Sequence, residues 1–306
     1  MNKNNQTGNN GNGFNFCCIS DTVGKTPLIK IENIYAKLET SNPTGSIKDR
    51  MAYYMIKKAE ENGKLRKGME IIEVTSGNTG ISFSMISAIK GYEFTAVMPE
   101  SMSIERREIM QLFGAKIVLT PAKEDIAGAV KKYEELTENI SDNVWLPKQF
   151  ENTDNIEAHI KGTGQEIIEQ TKGKIDAFVA GTGTGGTLIG VAKALKEINP
   201  EIKIIGVEPA ESAVLSGEEP GLHKIQGIGE GFIPDIVEKN RDLIDEIIKI
   251  KSIDAIEMRK KLIKEYGILV GISSGANVLA AIQLKEKYEN VVTVLPDRGE
   301  RYLNND

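Results

Sequence analysis

The sequence predicts an α/β fold, with parallel sheets flanked by helices. Three observations predict it. Short apolar runs of strand character alternate with helix-periodic stretches almost throughout. The 306 residues fit two domains at about 150 residues each. Four polar segments sit where strands end or helices begin, and parallel sheets bind ligands at the carboxyl ends of their strands.

Residues 34–39 alternate like a strand. Residues 48–62 read as a helix, with Met51, Tyr54, Met55 and Ala59 at helical spacing. Residues 70–75 are strand-like and end in Ser76-Gly77-Asn78, a helix-start sequence. A strand at 94–98, a helix at 103–113, a strand at 116–119 and a helix at 127–137 follow. The second half repeats the theme: helix 158–170, strand 177–180, helix 186–198, strand 203–207, helices 253–266 and 275–286, and strand 291–295. No internal sequence repeat is visible.

Apolar residues make up 40% and charged residues 27%, an ordinary soluble balance. A net charge of -6 argues against nucleic acid or an anionic membrane as the main partner. No apolar run approaches the ~20 residues that span a bilayer. Residues 1–16 are Asn- and Gly-rich, lack the apolar core of a signal peptide, and are expected to form a disordered tail. The only cysteines, Cys17 and Cys18, are neighbours and cannot staple distant parts of a fold. The two histidines, His159 and His223, are too far apart for metal-site spacing. The expected compartment is the reducing cytosol.

The four segments carry the chemistry. In the first, Ser41-Asn42-Pro43-Thr44-Gly45-Ser46 leads to Lys48 at a helix start. The positive end of the helix dipole favours a neutral amine there, and a neutral amine is what a Schiff base needs. A solvated helix start reads equally well from this segment alone. The second is Thr75-Ser76-Gly77-Asn78-Thr79-Gly80, which puts hydroxyls, an amide and backbone N–H groups at a helix N-terminus and suits a carboxylate or phosphate. A simple cap needs only one such residue.

The third, Gly181-Thr182-Gly183-Thr184-Gly185-Gly186-Thr187, lets backbone approach a phosphate closely. It also matches a dinucleotide fingerprint through Gly181, Gly183 and Gly186, with Glu208 placed as a ribose-binding acid. A nicotinamide dehydrogenase is therefore a rival reading, against which the three threonines favour a terminal phosphate ester. The fourth, Gly271-Ile272-Ser273-Ser274-Gly275-Ala276, opens a helix and in isolation reads as a serine cap.

Together these segments resemble the cysteine synthase family, also called O-acetylserine sulfhydrylase, which is related to cystathionine β-synthase, threonine dehydratase and the tryptophan synthase β-subunit. The resemblance runs from Gly24-Lys25-Thr26-Pro27-Leu28 to Gly299-Glu300-Arg301-Tyr302-Leu303. It includes Met98-Pro99-Glu100-Ser101-Met102, Gln149-Phe150-Glu151-Asn152 and Lys224-Ile225-Gln226-Gly227. It implies a two-domain, fold-type II pyridoxal-phosphate enzyme that carries out β-replacement on a serine-like amino acid through an aminoacrylate. Residues 17–45 and 153–306 would form the larger cofactor-binding domain and 46–152 a smaller mobile one, with the cofactor in the cleft between them.

The resemblance implies roles residue by residue. Lys48 would hold the cofactor and act as general base. Asn78 would bond its 3-hydroxyl. Thr75, Ser76, Gly77, Asn78 and Thr79, with Gln149, would grip the substrate carboxylate. Gly183, Thr184, Gly185, Gly186 and Thr187 would bind the phosphate, and Ser273 would face the pyridine nitrogen. A hydroxyl there leaves the ring a weaker electron sink than an aspartate would. The resemblance also implies a homodimer and the option of binding a serine acetyltransferase C-terminal tail.

Three departures stand out. Val74 replaces the usual proline, the sequence given stops at Asp306 where relatives usually continue, and Glu230 replaces the usual alanine. A carboxylate at the active-site mouth suits an amino-acid nucleophile, whose ammonium it can bind, or the deprotonation of a thiol or water. The alternative activity is thus a cysteine-using β-replacement that releases sulfide and forms lanthionine, cystathionine or serine.

A chain starting at Cys17 is expected to keep the melting temperature and turnover of the whole protein, because residues 1–16 bury too little apolar surface to offset ordering. A clear loss of either would show that the tail docks.

Overall fold

The computed structural model describes residues 18–75, 77–138 and 142–303. Ser76, Cys17 and the 1–16 tail lie outside the described residues. The strands are β1 (Leu28–Ile31), β2 (Ile34–Leu38), β3 (Glu70–Val74), β4 (Glu93–Pro99), β5 (Lys116–Thr120), β6 (Val144–Trp145), β7 (Ala177–Gly181), β8 (Lys203–Pro209), β9 (Glu246–Ile250) and β10 (Val291–Leu295). They form a six-stranded sheet, β1-β2-β10-β7-β8-β9, and a four-stranded sheet, β5-β4-β3-β6. All pairings are parallel except β1 with β2.

The period-two alternation of the strands decides which helices cover which face. In the large sheet Ala177, Val179, Val291 and Leu295 face one core, packed with Ala276 and Val278 of helix α10 (Ile272–Leu284) and Ile256 and Leu262 of helix α9 (Ser252–Tyr266). Their neighbours Phe178, Ala180, Val292 and Val294 face a second core with Leu188, Val191 and Leu195 of helix α7 (Gly186–Ile198). Helices α1 (Lys48–Glu61) and α2 (Asn78–Lys90) cover one face of the small sheet over Ile71, Phe94 and Met98. Helix α4 (Asp125–Thr137) covers the other over Ile72, Val74 and Val97. No helix among the described residues is long and apolar enough to cross a membrane.

Two expected helices are corrected. The helix expected at 158–170 is three pieces: α5 (Thr153–Ala158), a π turn over His159–Gly164, and α6 (Gln165–Thr171). The π turn lies close against α7. A Cβ on Gly164 would sit 2.6 Å from Ala194 Cβ, and one on Gly190 would sit 2.5 Å from His159 Cβ. Such a bulge follows from packing and leaves no mark in apolar spacing. The helix expected at 275–286 begins at Ile272. Gly275 is inside it because a Cβ there would lie 2.1 Å from the Ala255 carbonyl of α9.

A buried charge network anchors α1. Arg50 meets Glu39 at 2.7 Å and Glu166 at 2.7 Å, and Lys37 meets Glu166 at 2.7 Å. Lys37 and Glu39 are fully buried. The network joins the end of β2, the first turn of α1 and α6, two residues from Lys48. Burial alone would raise the Glu166 carboxyl; the hydrogen bonds and charge of Arg50, aided by Lys37, outweigh it and hold Glu166 at about 2.

Removing one member of a buried pair strands the others, so Arg50→Ala is expected to cost about 3–5 kcal/mol in denaturant unfolding. The Glu166 contribution is present above the ordinary carboxylate value of 4.5 and is lost as pH falls from there toward about 2. Glu166→Gln is expected to flatten the stability loss in that window; an unchanged slope would contradict this.

Candidate active site

The carboxyl ends of β3, β7 and β10 and the starts of α1, α2, α7 and α10 converge on one cleft. Lys48, Asn78, Thr79, Gln149, Gly183, Thr184, Gly185, Thr187, Glu230 and Ser273 all line it. Gly186, Thr75 and Gly77 do not line it but adjoin residues that do, and Ser76 lies outside the described residues.

Lys48 opens α1, with its backbone N–H donating to Ser46 Oγ at 3.1 Å. Its pKa is lowered because the cleft walls desolvate the ammonium, against the upward pull of the Glu230 and Asp297 carboxylates. The result favours free amine at neutral pH more than in an ordinary lysine.

Opposite stands a polar cluster on the small sheet. Thr79 Oγ1 donates to Gln149 Oε1 at 2.8 Å, and Gln149 Nε2 donates to the Val74 carbonyl at 2.8 Å. The Thr75 hydroxyl accepts from the N–H groups of Gly77 and Gly80, both at 3.0 Å, so Thr75 braces the loop. Gly77 has φ +147, and a Cβ there would meet the Arg106 side chain at 2.4 Å. Asn78 Nδ2 donates to Asp297 Oδ2 at 2.6 Å, while its Oδ1 accepts from Arg301. One N–H of that amide remains for a ligand.

The phosphate-type loop follows β7. Gly183 and Gly185 are required by close approach: a Cβ would lie 2.4 Å from the Gly227 carbonyl and 2.3 Å from Val237, respectively. Gly185 also has φ +85. The loop feeds the N-terminus of the 13-residue α7, whose first N–H groups have no partner within the helix. This bare-backbone cradle with Thr184 and Thr187 fits a phosphate ester. Behind it, buried His159 contacts Thr163 Oγ1 through Nδ1 at 2.9 Å and Thr187 Oγ1 through Nε2 at 3.3 Å. Burial, with Arg50 and Lys48 nearby, drives its pKa well down and leaves it neutral. Glu208, the acid the dinucleotide reading requires, is spent elsewhere. Its carboxylate accepts from Leu215 N at 2.8 Å and from the N–H and hydroxyl of Ser216.

Several residues were not found by sequence reasoning. Arg301 and Tyr302 lie in a matched stretch but received no role, and Asp297 lies just before it; together they frame Asn78. Glu73 is buried beneath the carboxylate cluster, where burial pushes its pKa up to about 8. It accepts from Val74 N at 2.9 Å and Gln149 N at 3.1 Å. A glutamate inside an apolar strand was the available signal.

Fold and cleft together place a cradle that fits a phosphate beside an amine of lowered pKa. Residues 19–297 match the pyridoxal-phosphate dependent enzyme family, and the chain belongs to that family. It is similar to a cysteine synthase of Staphylococcus aureus, 51% identical over 298 residues that cover 94% of this chain and 95% of the other. A cysteine synthase structure from Entamoeba histolytica matches with TM-score 0.91 at 42% identity, over 96% of this chain and 91% of that one. A hydrogen sulfide-producing enzyme from Fusobacterium nucleatum matches with TM-score 0.88 at 43% identity, over 94% and 99%.

Gly183→Ala is expected to leave the fold intact and weaken pyridoxal-phosphate binding to the apoprotein by about tenfold or more, since backbone must move away from Gly227. Parent-like affinity in an equilibrium titration would show that this loop is not the phosphate seat.

Proposed function

We propose that this protein is a cysteine synthase, converting O-acetylserine and sulfide to cysteine and acetate. The observation that carries the reading is a single cleft holding a lysine of lowered pKa between a phosphate-type loop and a carboxylate-type cluster. The likeness to cysteine synthases supports the choice of substrates.

When bound, pyridoxal phosphate supplies the electron sink for charge left at the amino acid's α-carbon. The chain supplies the rest. Gly183, Thr184, Gly185, Gly186 and Thr187 would hold the phosphate, Asn78 would offer its remaining N–H to the 3-hydroxyl, and Ser273 would face the pyridine nitrogen. Thr79, Gln149 and the Asn78 backbone hold the substrate carboxylate, and Thr75 supports them through Gly77 and Gly80. Lys48 Nζ takes the α-proton and returns it after acetate has left the β-carbon and sulfide has added. Residues 46–152 act as the smaller mobile domain against 17–45 and 153–306, closing on the carboxylate and keeping water out. The split of the strands between two sheets supports that division. A cytosolic homodimer, able to take the C-terminal tail of a serine acetyltransferase in the cleft, completes the reading on the strength of the resemblance.

Glu230 favours a second activity on the same machinery. It lines both the cleft and the adjoining space beside Met102, Arg106 and His223. A carboxylate there can bind the ammonium of an amino-acid nucleophile, a contact worth roughly 1.5–3 kcal/mol. Cysteine would then enter as donor, with sulfide released. The similarity to a hydrogen sulfide-producing enzyme is in line with it.

The parent should form cysteine and acetate from O-acetylserine and sulfide, and Lys48→Ala should lower kcat by at least roughly 10²–10⁴-fold. A Lys48→Ala protein with normal turnover would sink the main reading. Glu230→Ala should selectively lose sulfide release from cysteine. A parent that releases none, or a variant that loses both activities equally, removes the second activity and leaves the first.

A further inference from the structure

Asn155 lies outside the cleft lining, yet it touches both sides of the site. It sits in α5 and is 1% exposed. Its Nδ2 donates to the Gln149 carbonyl at 2.9 Å and to Thr184 Oγ1 at 3.0 Å. Both N–H groups of the amide are therefore committed. The orientation is fixed by chemistry, because a backbone carbonyl can only accept. The Asn155 Oδ1 is buried with no hydrogen-bond partner and lies where a Cβ on Gly186 would come within 2.1 Å. An orphaned acceptor costs stability, so the contacts of Nδ2, not the packing of the amide, account for the residue.

The consequence falls on Thr184. A hydroxyl has two acceptor positions and one proton. Here Thr184 Oγ1 accepts from Asn155 Nδ2 and, at 3.3 Å, from Gly186 N. Its acceptor capacity is filled, and its proton is left to donate. Thr184 is nearly buried and lines the cleft, where a bound anion can accept that proton.

We infer that Asn155 is a positioning residue: it compels the Thr184 hydroxyl to act as a donor to the cofactor phosphate. The inference rests on the reading that Gly183–Thr187 seat that phosphate. Without Asn155 the hydroxyl is no longer oriented in advance, and binding the anion must order it, at a cost on the scale of one immobilised rotamer.

The test compares apoprotein affinities for pyridoxal phosphate and for pyridoxal, which lacks the phosphate. Asn155→Leu, close to isosteric, should weaken pyridoxal-phosphate binding about tenfold, the scale of one hydrogen bond to an anion, and pyridoxal binding less than about threefold. Thr184→Ala should do the same. The double variant should be no more than about twofold weaker than the Thr184 single one, since Asn155 acts through the Thr184 hydroxyl. Should Asn155→Leu fail to fold, Asn155→Ala takes its place in every comparison. Parent-like discrimination between the two ligands in the Asn155 variant, equal loss of both ligands, or losses that multiply in the double variant would each overturn the inference. If Thr184→Ala itself keeps full phosphate preference, the phosphate seat is wrong. If only the Thr184 variant loses that preference, the seat stands and the role of Asn155 falls.

Discussion

The structure depends on shielding one amine partly from water while leaving it within reach of a ligand. Desolvation in the cleft lowers the Lys48 pKa, and the Glu230 and Asp297 carboxylates limit how far it falls. A lysine placed this way needs a rigid mount. The mount is the first turn of α1, where Asp49 is buried against Thr44 and Ser82 and Arg50 is locked to Glu39 and Glu166. The amine is thus a flexible side chain on a backbone fixed by the buried side chains of the next two residues.

The two sheets divide the remaining work. The large sheet delivers bare backbone: β7 runs into glycines whose Cβ atoms would strike Gly227, Val237 and Asn155, so the chain can lie flat against an anion. The small sheet delivers side chains. Gln149 is held at its backbone by Glu73, at its amide by Val74 and at its carbonyl oxygen by Asn155, which leaves its side chain little freedom.

Much of this was legible in the sequence. Helix 186–198 and strand 291–295 were placed to the residue because each is bounded by glycines or turn residues and has an unbroken apolar pattern. The cleft residues were legible because their chemistry is concentrated in short runs after strands. What escaped notice was set by tertiary contact. β1 pairs antiparallel through a turn in which Glu32 has φ 52, and β9 is a strand with charged residues at its edges. The π turn exists because α7 presses against it. Gly275 looked like a helix start and is a packing glycine. Glu208 had the spacing of a ribose-binding acid and instead staples a loop, because fingerprint spacing does not say where a carboxylate points. Asn155 sits on a short helix with no motif, and its importance appears only when Gln149 and Thr184 are brought together.

The most direct test of the account is to reduce the purified, cofactor-loaded protein with borohydride, which fixes a carbonyl cofactor onto the amine it is linked to, and to map the added mass by peptide sequencing. The account predicts the pyridoxyl-phosphate mass on the peptide carrying Lys48, with a matching loss of turnover. Modification at another lysine, or none at any lysine, would contradict it.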